Sequence, residues 1–166
     1  MPTLPTYAEG TQLPDLQTPE QLLTVALRLF AAEWSHVPTR RDWREGFAAA
    51  GLARFGMPAF ERLFRTVASA PRRPLDVRCM HCAELGADEG LFLQLIAYLQ
   101  RRRFGEARDI LAAWIPPASI RIAMPAAREL ALAMTDRGLF VPPRHGRAMT
   151  LVPQSSQTHA GSALLH

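Results

Sequence analysis

Lysine and asparagine are both missing from this 166-residue chain, so every one of its 19 Lys+Arg positions is arginine. Without lysine there is no Walker A phosphate-binding lysine, no pyridoxal Schiff base and no lysine nucleophile. The two missing residues share A-rich codons, and their joint absence points to a GC-rich, bacterial genome. It also tempers the net charge of +4 and the pI near 10.0. Arginine standing in for lysine on an ordinary surface accounts for both, because the guanidinium pKa is very high. Long apolar runs are missing too. The longest, Leu91 to Leu99, is interrupted by Gln94, stops at Arg101, and falls well short of the ~20 residues that span a bilayer. Met1 to Gly10 has neither the basic nor the apolar region of a signal peptide. The expected location is therefore the cytoplasm, with no membrane contact. No segment alternates with a period of two, so no sheet is expected. There is no Gly-rich phosphate loop, no nucleophile elbow and no His-Glu-x-x-His.

What is present is a large apolar fraction, 48%, enough for a buried core and unlike a disordered chain. Thr18-Pro19-Glu20-Gln21 reads as a helix start with Thr18 as N-cap, followed by Leu22, Leu23, Ala26, Leu27 and Phe30 at helical spacing. A second helix is expected over 39–50, with Gly51 just past its end, and a third from Pro58 carrying Phe60, Leu63, Phe64 and Val67. Pro71 to Ala87 reads as an ordered loop. Asp88 is expected to cap a fourth helix with a strongly apolar face. A turn at Phe104-Gly105 would join it to a fifth, making an antiparallel αα-hairpin. A short helical piece over 118–123 and a last helix opened or kinked by Pro125 and ended by Gly138 complete the set. The expected fold is all-α: an irregular bundle of five to six helices over 18–140, with an extended N-terminal arm over 1–17 and a C-terminal tail over 141–166.

Cys79-Met80-His81-Cys82 holds the chain's two cysteines. The two residues between them let both sulfurs converge on one metal ion or form a strained, reducible disulfide. His81 can hold a nearby thiol as thiolate, and Arg78 adds positive potential. The order is not that of c-type haem attachment. It resembles the Cys-x-His-Cys of the all-helical alkyl hydroperoxidase D and carboxymuconolactone decarboxylase proteins. That resemblance covers these four residues and implies thiol redox chemistry. Where those proteins carry a glutamate roughly three helical turns upstream this chain has Val67, and their downstream histidine is here Gly86. Zinc is the other chemistry. A structural site needs four ligands and this motif supplies two, so His36 and His145 are the candidates for the other two, or two chains would share four thiolates across a homodimer. The plain alternative is a pair of inert, reduced loop cysteines and no cofactor.

Arginines gather in three groups: Arg40, Arg41 and Arg44; Arg72, Arg73 and Arg78; and Arg101 to Arg103. The third suits a helix C-terminus. The first two are candidate contacts for an anionic partner, with Trp43 or Phe104 available to stack on bases. Asp88 and Glu89 read as ordinary helix-start carboxylates that point about 100° apart. The leading functional expectation is a non-enzymatic helical module that binds another protein, its two arms wrapping the partner. The alternatives are a thiol redox or zinc-binding protein built on Cys79, His81 and Cys82, and a nucleic-acid-binding regulator.

Overall fold

Apolar residues at helical spacing, separated by Pro- and Gly-rich breaks, fold into six helices in the computed structural model, which describes residues 7–144. They are α1 (Thr18–Trp34), α2 (Trp43–Ala49), α3 (Gly56–Ser69), α4 (Ala87–Gln100), α5 (Phe104–Trp114) and α6 (Pro117–Asp136). The all-α expectation holds, and α4 and α5 form the αα-hairpin, turning over Arg101 to Arg103. The described residues contain no strand, only an isolated antiparallel bridge between Gln12 and Glu84. No described helix is long and apolar enough to cross a membrane.

The centre of the molecule is α4. Every residue from Asp88 to Leu99 is buried, as a helix that is apolar on all sides requires. It is flanked by α1, α5 and α6, while α3 lies along α6 and α2 along α1. Phe30, Trp43, Phe47, Phe60, Phe64 and Phe92 stack where α1, α2, α3 and α4 meet, with ring centroids 4.7–6.2 Å apart. Such pairs add about 0.5–1.5 kcal/mol each beyond the area they bury.

Helix α2 starts at Trp43 rather than at residue 39, α3 at Gly56 rather than Pro58, and Phe104-Gly105 opens α5 rather than forming the turn before it; three further boundaries differ for reasons the contacts show. Gln17, not Thr18, caps α1, because Glu20 reaches back to accept the Gln17 N–H at 2.7 Å. Gly86, not Asp88, precedes α4, and its N–H donates to Glu89 at 2.7 Å. The expected short helix over 118–123 and its successor are one 20-residue helix with Pro125 inside it. The proline lacks one N–H, a deficit of about 3 kcal/mol in a helix interior. The burial of Ile120, Ala123, Ala126 and Ala127 on either side of it keeps α6 continuous.

Residues 7–17 form no long helix, with a turn at Glu9–Gly10 and a 3-10 turn at Leu13–Asp15, and they pack on the body. Tyr7 and Leu16 are buried, and Leu13 and Leu85 donate N–H groups to Ala83 and Thr11 at 2.7 and 2.8 Å. At the other end Val141 is buried and Arg144 reaches Glu20. The remainder of both expected arms, residues 1–6 and 145–166, lies outside the described residues.

Candidate functional site

Between α3 and α4 the chain runs for seventeen residues, 70–86, with no helix of its own. Its shape is set by two adjacent carboxylates at the start of α4, Asp88 and Glu89. Asp88 accepts four hydrogen bonds: two from the Arg73 guanidinium, one from the Asp76 N–H and one from Trp114 Nε1, at 2.6–2.8 Å. Burial by itself would raise this carboxyl, but those donors outweigh it and hold it below its usual range. Glu89 also accepts four, from Arg28 Nε and Nη2 and from the N–H groups of Arg78 and Gly86, at 2.7–3.0 Å. Four bonds fill the acceptor capacity of a carboxylate. Both are buried, and both do more than the helix-start role expected from the sequence.

Arg28 completes the arrangement from α1. It is 2% exposed and its partner Glu89 is fully buried. All five of its N–H groups are used: Nε and one Nη2 proton on Glu89, two Nη1 protons on the carbonyls of Cys79 and Cys82, and the last on the Glu84 carbonyl. A guanidinium has five donors, so none is left over. A buried ion pair repays its desolvation only with such complete satisfaction, and apolar residues of the same volume often serve stability as well. What an apolar pair cannot do is hold three loop carbonyls, those of Cys79, Cys82 and Glu84. The loop is thus wrapped on a buried cation, with the cysteines on its outer side.

Cys79 to Cys82 forms a tight turn, closed by the Cys82 N–H donating to the Cys79 carbonyl at 3.2 Å. A turn brings its first and fourth Cα atoms within about 7 Å, and disulfides span about 4.4–6.8 Å, so the two positions suit a dithiol that can close. Cys79 is exposed and Cys82 half-buried. Their environments differ in sign. The neighbouring Cys82 side chain, ahead of the His81 backbone and the Arg28 charge, holds the Cys79 thiol below its ordinary value. The adjacent Cys79 side chain pushes the Cys82 thiol up. His81 is exposed beside them. Among the described residues no group of three or more His, Cys, Asp or Glu side chains gathers in metal-binding geometry. His36 is exposed at the end of α1, and the expected ligand His145 lies outside the described residues.

The arginine groups have separate fates. Arg40 and Arg41 are exposed beside α2 and line a groove with Leu29, Val37 and Trp43. Arg44 stacks 4.3 Å over Trp43 and pairs with Glu33 at 3.0 Å and Asp42 at 3.1 Å. Arg72 donates to the Ala112 carbonyl and Arg73 to Asp88, while Arg78 pairs with Asp76 at 3.2 Å. Arg72 and Arg73 therefore fasten the cysteine loop to the body, while the Arg78 side chain pairs within the loop.

The sequence reading passed over Arg28 and gave Asp88 and Glu89 no role beyond the helix start. Two signals pointed to them. Arg28 has no carboxylate three or four residues away on α1, so its partner had to be distant. Asp88 and Glu89 open a helix apolar on every side, so they had to be buried with it. Comparison of the chain with protein families, with curated proteins and with solved structures finds no match in any of the three.

Proposed function

We propose that this protein is a dithiol that exchanges disulfides with another protein through Cys79 and Cys82, in the reducing cytoplasm of a bacterium. One observation carries the reading: a fully satisfied, buried guanidinium spends three of its five donors on the loop that bears both cysteines, two of them on the carbonyls of Cys79 and Cys82 themselves. The opposed shifts of the two thiols support an order of events. Cys79, exposed and the better thiolate, attacks one sulfur of a partner disulfide. The partner's other sulfur leaves with the bonding electrons and takes up a proton. Cys82 then loses its proton and attacks the Cys79 sulfur, releasing the partner's second thiolate. The partner gains two electrons and two protons, and the chain is left with a Cys79–Cys82 disulfide. A cellular thiol of the glutathione or dithiol class returns it to the reduced form.

The test is pH-resolved alkylation of tag-free reduced protein, read by mass spectrometry, with metal content determined on the same sample. Cys79 should label first, with a midpoint below the ~8.5 of an ordinary thiol. Cys82→Ser should trap a mixed disulfide on Cys79 with a small aromatic disulfide, and Cys79→Ser should trap little. Equal labelling of both thiols at ordinary alkalinity would leave an inert loop. One zinc per two chains, with both thiols protected, would replace exchange by a shared four-thiolate site.

A further inference from the structure

The outer face of α6 repeats every seven residues. Ala118, Pro125 and Leu132 fall on one exposed line, and Arg121 and Arg128 on a second beside it. Phe104, at the start of α5, widens the apolar line, with the Arg128 guanidinium 4.7 Å above its ring. Two shallow grooves meet at Pro125, one reaching Arg108 and Arg121, the other Arg102, Phe104 and Leu132. Ile122 and Leu132 are 60% and 62% exposed. Arg102 holds a left-handed backbone, φ 59°, where glycine would be free of the roughly 1–2 kcal/mol that a side chain costs there.

Arg102, Arg108, Arg121 and Arg128 have no ion-pair partner among the described residues. Glu129, which lines the second groove, is taken by Arg62. The acidic side chains between Glu9 and Asp136 all fall within the described residues, and none of them pairs with these four. A self-matched dimer would lay the same cationic patch against itself. Phosphates would answer the arginines but leave the Pro125–Leu132 line without an apolar complement. We propose that this face binds an amphipathic helix of another protein, carrying apolar residues on a seven-residue repeat flanked by carboxylates. The seven-residue spacing fits side-by-side helix packing, and the cations would be met by charge rather than by water. This rests on α5 and α6 and is independent of the cysteine chemistry.

The probe is a fluorescent peptide of about three heptads, leucine on the seam and glutamate beside it, titrated against the full chain by anisotropy. Saturable binding that weakens with salt is expected. Arg121→Glu with Arg128→Glu should weaken it by at least about tenfold, and Leu132→Ser should weaken it as well, with circular dichroism and Cys79 alkylation unchanged in both. Absence of saturable binding, or equal affinity in the charge-reversed variant, overturns the proposal. So does tighter binding of a single-stranded oligonucleotide to the same arginines, or a dimer in sedimentation that charge reversal dissolves.

Discussion

Arg28 and Glu89 show how much of a loop's shape two side chains can hold. With five donors and four acceptors all occupied, neither group can be removed without stranding the other. Arg28→Met should destabilise the protein by about 3–5 kcal/mol, the usual result of leaving a buried charge unpaired. Urea unfolding reads this directly. Arg28→Lys should not rescue it, since an ammonium offers three donors on one atom instead of a five-donor planar fork. Asp88 makes a pH prediction. Its carboxyl is lower in the folded state than the ~3.9 of an unfolded chain. The folded state therefore binds fewer protons, and the stability from this group is present above that value and is lost as pH falls through the folded one. Urea midpoints should drop below about pH 4, and Asp88→Asn should flatten that part of the profile while lowering stability near neutrality.

At the scale of elements, the start of α4 and the cysteine loop are one unit. Gly86 sits so close to Asp76 that an added Cβ would collide with the Asp76 carbonyl oxygen. Gly86→Ala should cost about 1–3 kcal/mol, as overpacking does. It should also raise the midpoint for Cys79 alkylation, because the loop would have to move off Arg28. Thermal melting and the pH-resolved labelling check the two effects separately. The helices themselves were largely legible beforehand. Phe60, Leu63, Phe64 and Val67 marked the buried face of α3, and Gly51 and Gly138 marked helix ends, both with a positive φ in the structure. Pro125 misled, because a local rule gave it a boundary that packing on both sides of it overrides. Loop 70–86 was readable only as irregular, since its order comes from α1 and α4 and from no repeat within it.

For the molecule as a whole, Glu20 clasps both ends of the described chain. Buried and fully occupied, it accepts from the Tyr7 hydroxyl at 2.6 Å, the Gln17 N–H at 2.7 Å and the Arg144 guanidinium at 2.9 Å. Burial and then the Glu20 bond raise the Tyr7 hydroxyl far above its ordinary range, so it stays a donor. Tyr7→Phe should cost about 1 kcal/mol, the worth of one hydrogen bond. Removing residues 1–16 should cost more, because the buried Tyr7 and Leu16 go too, at about 1.5–3 kcal/mol for each side chain. Thermal unfolding of the two variants separates the clasp from the packing.

Composition and periodicity alone determined that this chain is helical, that it has a substantial core, and that its chemistry lacks lysine. They also singled out the Cys-x-x-Cys loop. Those are local properties: helical spacing of apolar residues and the chemical menu of the side chains can be read along a line. Only the tertiary structure decided what holds that loop, since Arg28 lies 61 positions from Glu89 and 51 and 54 from Cys79 and Cys82. The same holds for the clasp at Glu20, where Tyr7 and Arg144 meet from opposite ends. A buried charge takes whichever partner the packing of helices brings to it, and that choice leaves no period in the sequence.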